Sequence, residues 1–112
     1  MDLQEAVLTR RSIRRFTEDT VTDQELQQIF ETVRWSPSWG NTQVWDFVVV
    51  RDRELIQKVT TTYQMDKGTN PATRCSQAAS ALIVVCAKTG VSGCYGGKES
   101  TKFTNWFMFD LG

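Results

Sequence analysis

The sequence predicts an α+β protein, and three features lead there. Two strand-sized apolar runs, Val44–Val50 and Ala81–Cys86, are rich in β-branched residues. Segments whose apolar residues keep helical spacing precede, separate and follow those runs. The length, 112 residues, suits one domain and not two.

Asp2 to Arg11 has helical spacing through Leu3, Ala6 and Val7, with Asp2 placed as N-cap and Glu5 three residues beyond. Phe16 follows a cluster of arginines, and residues 17–21 form a polar connection. Thr22 and Glu25 repeat the capping-box spacing more clearly, ahead of Leu26, Ile29, Phe30 and Val33 at i, i+3, i+4 and i+7. This helix should end near Trp35, because Pro37 pushes Ser36 out of the α region. Ser36–Thr42 is a loop of turn formers, and Val44–Val50 (VWDFVVV) a strand with both faces largely buried. Arg51-Asp52 turns the chain, and Glu54 to about Tyr63 is helical through Leu55, Ile56 and Val59. Gln64–Arg74 is a polar loop, and Ala81–Cys86 a second buried strand with Cys86 as a small core residue.

Thr89–Gly97 is predicted to be Gly-rich and flexible, and Glu99–Asp110 to open a buried helix crowded by Phe103, Trp106, Phe107 and Phe109. Two strands and three other helices do not enclose so aromatic a helix. Residues 1–112 are therefore expected to be the N-terminal portion of a longer single domain.

Composition narrows the function. Hydrophobic residues make up 40% and charged residues 23%, the balance of a globular chain rather than a disordered one. The 13 basic and 13 acidic side chains cancel, so global charge argues against a polyanionic partner such as nucleic acid. No apolar run approaches the roughly 18 residues of a membrane span. Met1–Glu5 lacks the layout of a signal peptide, so a cytoplasmic protein without membrane attachment is expected. Cys75, Cys86 and Cys94 are odd in number and show no CxxC spacing, which suggests neither a disulfide framework nor a zinc site. The sequence has no histidine, which removes Ser-His-Asp triads, Cys-His pairs and imidazole-ligated metals. Enzymatic chemistry here would rest on an organic cofactor.

Two segments are able to serve one. Arg10, Arg11, Ser12 and Arg14 place guanidinium forks and a hydroxyl at a helix end, where they match phosphate oxygens. The same cluster also serves as a solvated partner of the helix dipole. In Ser36–Gln43 (SPSWGNTQ), Gly40 allows close backbone approach, Asn41 and Gln43 offer amides, and Trp39 offers a stacking face. The same residues also suit a plain helix-to-strand connection closed by an Asx-turn at Asn41.

Together, TRRSIRRF and SPSWGNTQVWDFVVV resemble the nitroreductase-like flavoproteins, whose pattern is Arg-Arg-Ser-x-Arg-x-Phe, a helix, then Ala/Ser-Pro-Ser-x-x-Asn-x-Gln-Pro-Trp before a Val-rich strand. Trp106–Gly112 resembles the start of that family's long central helix. The resemblance implies a central antiparallel sheet flanked by helices, in a homodimer that binds FMN at the subunit interface. By match to the motif, Arg10, Arg11 and Ser12 would hold the phosphate and ribityl end. Arg14 would reach the pyrimidine edge of the ring, where positive charge favours the reduced, anionic flavin. Pro37, Ser38, Trp39 and Asn41 would approach the flavin from the partner subunit. The implied chemistry is hydride transfer from NAD(P)H to the flavin and then to a nitroaromatic, quinone or related small-molecule acceptor, with no catalytic acid or base on the protein.

One departure is local: Gln43-Val44-Trp45 stands where the family has Gln-Pro-Trp. The other is extent, since the family's domains continue past residue 112 with further strands and a backbone donor to the flavin. Two alternatives stay open: a small flavin- or nucleotide-binding module without catalysis, and a dehalogenase-like member of the same superfamily.

Overall fold

Side-chain caps set where the helices begin. In the computed structural model, which describes residues 2–63, 70–103 and 106–112, the Asp2 carboxylate accepts from the Glu5 N–H at 2.7 Å and opens α1, Leu3–Thr9. Leu3, Val7 and Leu8 on this helix are exposed, and residues 10–20 follow without regular structure. The expected apolar face is there, but none of α1 is buried.

Helix α2, Asp23–Val33, carries the complete capping box. The Glu25 N–H donates to Thr22 Oγ1 at 3.2 Å, and the Thr22 N–H donates to Glu25 Oε2 at 2.7 Å. Two orphan donors of the first turn are thereby satisfied. Leu26 of α2 is buried, and the Phe30 ring packs 5.3 Å from Phe47 of β1, Trp45–Val50. Arg51 fastens the start of α2: it donates to Val21 O at 2.9 Å and pairs with Asp23 at 2.8 Å.

β1 pairs antiparallel with β2, Leu82–Ala87, in a register that sets Trp45 opposite Ala87 and Val50 opposite Leu82. The antiparallel sheet agrees with the expected architecture. Full burial of both strand faces does not hold. Trp45, Phe47 and Val49 are half-buried, whereas Asp46 and Val48 are exposed, the alternation of a strand covered on one side. Cys86 is exposed rather than in the core, because it stands opposite Asp46, and cross-strand partners share a face.

Asp52 caps α3, Arg53–Thr61, accepting from the Leu55 N–H at 2.9 Å. Ile56 and Thr60 of this helix are fully buried. The predicted polar loop over 64–74 gives way to α4, Pro71–Ala78, while residues 64–69 lie outside the described residues. Asn70 caps α4 through the Ala72 N–H at 2.9 Å, and Pro71 sits at the first helical position, where its missing N–H costs nothing. Arg53 Nη1 donates to Gln77 O at 3.2 Å and Ala79 O at 2.9 Å, holding the end of α4 against the start of α3.

The last predicted helix is corrected most. Cys94–Tyr95 (β3) and Lys98–Glu99 (β4) form a hairpin, and Gly96 and Gly97 take the positive φ of 58° and 76° that its two-residue turn requires. Glu99 therefore pairs with Cys94, and the Ser100 N–H goes to Gly93 O at 2.9 Å instead of into a helix. Among the described residues of this segment only Phe107–Asp110 (α5) is helical; residues 104–105 lie outside them. Phe103, Met108 and Phe109 are exposed, so this segment is not the buried helix expected.

Candidate cofactor site

The arginine segment stands at the C-terminal end of α1, fully in solvent. Arg11 folds back, and its Nη1 donates to Leu8 O at 2.9 Å and Arg10 O at 2.8 Å. That is the helix-end role the cluster also permitted. Among the described residues, the ion pairs formed by arginine are Arg34 with Glu31 and Arg51 with Asp23. Arg10 and Arg14 have no carboxylate partner in that set, and Ser12 is exposed beside them. The guanidinium and hydroxyl donors of Arg10, Ser12 and Arg14 fit the phosphate of a flavin mononucleotide by their donor chemistry.

The second segment is held in an unusual backbone shape. Trp39–Asn41 makes a single 3₁₀ turn, with Ser38 in extended conformation before it. Gly40, Asn41 and Gln43 have φ of 55°, 54° and 45°, in the left-handed region that side-chain-bearing residues occupy at a cost of order 1 kcal/mol or more each. Local bonds hold this shape. The Gln43 N–H donates to Ser38 Oγ at 2.9 Å, Gln43 Nε2 to Asn41 Oδ1 at 3.1 Å, and Thr42 Oγ1 to Trp39 O at 2.9 Å. The alternative of an Asx-turn at Asn41 is not the one formed, since Ser38 Oγ takes the Gln43 N–H and Asn41 Oδ1 accepts from the Gln43 side chain. Ser38 and Trp39 are half-buried, whereas Pro37 and Asn41 are exposed.

A residue with no role in the sequence reading closes the loop from the far side. Asp110 Oδ1 accepts from the Trp39 N–H at 2.9 Å, and its Oδ2 accepts from the Ser92 hydroxyl at 2.7 Å. Ser92 is 1% exposed. A cleft of about 240 Å³ beside this contact is lined by Pro37, Ser38, Trp39, Trp106, Phe109 and Asp110. The only signal in the sequence was a lone carboxylate within an aromatic run, and its 71-residue separation from Trp39 is invisible to local pattern.

The arginine segment and the loop do not meet in this chain's described clefts. The cleft beside the arm, about 410 Å³, runs from Arg15 to Val21 and across to Ala79–Ala81. The clefts beside the loop are lined by residues of the α2 end, the loop and α5.

A mixed fold with an antiparallel pair, an N-terminal basic arm and a left-handed loop before the first strand defines a class, and comparison gives its family. The profile described as "Nitroreductase family" matches residues 7–67, more than half of the chain. The chain belongs to the nitroreductase family. It is 36% identical over 86 residues to an Archaeoglobus fulgidus protein provisionally named NADH dehydrogenase/NAD(P)H nitroreductase, a match spanning 77% of this chain and 45% of that one. A nitroreductase family protein of Clostridium novyi superposes with a TM-score of 0.76 at 24% identity, over 98% of this chain and 57% of that structure. A BluB-like flavoprotein of Clostridium difficile gives a TM-score of 0.63 at 28% identity, over 80% and 50% respectively. The chain spans about half the length of these relatives.

Proposed function

We propose that this chain furnishes the phosphate- and ring-binding segments of an FMN-dependent oxidoreductase. It would pass reducing equivalents from NAD(P)H to nitroaromatic, quinone or related small-molecule acceptors, in the cytoplasm. The observation that carries this reading is the set of exposed donors Arg10, Ser12 and Arg14, without carboxylate partners among the described residues and inside the stretch matched to the family. Kinship to a named flavoprotein fold supports it.

Arg10, Arg11 and Ser12 would hold the phosphate and ribityl end, and Arg14 the pyrimidine edge. Guanidinium keeps its charge at any working pH, so Arg14 favours whatever bound form is more electron-rich. Pro37, Ser38, Trp39 and Asn41 would approach the ring held by a second copy of the chain, so two copies would share each site. Pro37 and Trp39 would exclude water there, and Asn41 would present its amide donors. When bound, FMN supplies the hydride chemistry between NAD(P)H and acceptor, which asks no acid or base of the protein.

The test is a titration with FMN, followed by flavin fluorescence, and then anaerobic addition of NADH or NADPH. Saturable binding that weakens about tenfold in Arg10→Ala or Arg14→Ala is expected, as a lost charge-assisted hydrogen bond predicts. The flavin absorbance should bleach with the nicotinamide. A protein that shows no saturable binding overturns the reading. One that binds but never bleaches is a flavin-binding module without catalysis.

A further inference from the structure

We propose that Asp110 is a positioning residue that latches the ring-binding loop in its left-handed shape; the inference rests on the flavin reading of Pro37–Asn41 given above. Bonds within the loop hold its shape, and a bond from outside fastens it. Gly40, Asn41 and Gln43 occupy positive φ in close succession, and two of them carry side chains. Such a conformation persists only where its surroundings over-determine it. The internal bonds of Ser38, Asn41, Thr42 and Gln43 tie the loop to itself. The Asp110 bond to the Trp39 N–H ties it to the rest of the protein, at the residue where the 3₁₀ turn begins.

The carboxylate is itself fixed. Its second oxygen takes the hydroxyl proton of Ser92, a buried side chain that offers the latch a rigid post. The neighbouring Gly93 has φ of 89°, and a Cβ there would meet Trp106 Cδ1 at 2.6 Å, so Trp106 seats directly against the post. Trp106 is secured in turn by Nε1 donating to Thr101 Oγ1 at 2.8 Å and by an edge-on contact with Phe109 at 5.9 Å. Asp110 thus couples three distant stretches of chain: residues 38–43, 92–93 and 106–110. Its two bonds need acceptor oxygen toward Trp39 and a hydrogen-bonding partner toward Ser92, not negative charge as such. An asparagine can supply both, accepting from Trp39 with Oδ1 and donating to Ser92 Oγ with Nδ2.

Amide hydrogen exchange and FMN titration on the same proteins test this. In the unaltered protein the Trp39 amide should exchange at least about tenfold slower than an unstructured amide. Asp110→Ala should accelerate exchange across Trp39–Gln43 by about tenfold and weaken FMN binding by a similar factor, while α2 amides keep their protection. Asp110→Asn should restore both to within about threefold of the parent. If Asp110→Ala does not fold, the Trp39 amide and the Asp110→Asn protein carry the test alone. A Trp39 amide that exchanges freely, or an alanine variant with unchanged loop exchange, overturns the latch. A loop that loosens in a protein that never bound FMN would leave the latch standing and sink the flavin reading. An Asp110→Asn protein that loses FMN while keeping loop protection would show that charge matters, and the positioning role would fall.

Discussion

At the scale of single residues, position in the hydrogen-bond network decides which charges matter. Glu25 is fully exposed, yet the Thr22 backbone N–H, and then its hydroxyl, hold the carboxyl below its ordinary pKa of 4.5. A depressed folded-state pKa contributes stability that is present above the unfolded value and lost as pH falls through the folded one. Thermal melts of the parent and Glu25→Ala should therefore differ at neutral pH and converge as pH falls below the ordinary carboxylate range. A gap that stays constant would remove the ionised capping box as its source. The arginines show the converse. Arg11 donates to the Leu8 and Arg10 carbonyls, while Arg10 and Arg14 have no carboxylate partner among the described residues, a distinction that their near-identical sequence setting does not reveal.

At the scale of elements, the sequence was legible wherever a local rule has a local cause. Thr22 and Glu25 announced α2, and both bonds of the box are made. The β-branched runs located β1 and β2 to within a residue or two. Helix α4 was missed although Asn70-Pro71 is a sound cap and first turn, because the polar stretch before it outweighed two residues of signal. The final segment departs from its sequence pattern for a different reason: aromatic content does not by itself mean burial, and Gly96-Gly97 with the bond from Ser100 to Gly93 O commit the chain to a hairpin. Of the candidate site, the residue types were legible and the Asp110 contact was not. What buries Ile56 is the packing of α3 on its neighbours, so Ile56→Ala should cost about 2–5 kcal/mol in denaturant unfolding. A loss below about 1 kcal/mol would mean that α3 is not the core the structure makes it.

At the scale of the whole molecule, surface is in excess. The chain exposes 9372 Å², against about 6,300 Å² for a compact monomer of its mass. Its radius of gyration is 16.9 Å, against about 13 Å for a compact chain of this length. Leu3, Val7 and Leu8 of α1 and Ile13 and Phe16 of the arm contribute to that surplus. A site shared between two copies requires association. Light scattering should give twice the monomer mass, with a melting temperature that rises with protein concentration. A monomer whose melting temperature ignores concentration would remove the shared site.

The latch at Asp110 also bears on the order in which the protein assembles. It joins residues 71 apart, whereas the capping box joins residues three apart and the hairpin turns on two glycines. Closing so long a loop is slow to be rewarded, since the entropy is lost before the contact is gained. Helix α2 and the β3–β4 hairpin are free to form early, and the bond that latches the left-handed turn at Trp39–Gln43 waits for Asp110. During synthesis from the N-terminus, residues 38–43 are made well before the Asp110 that fastens them.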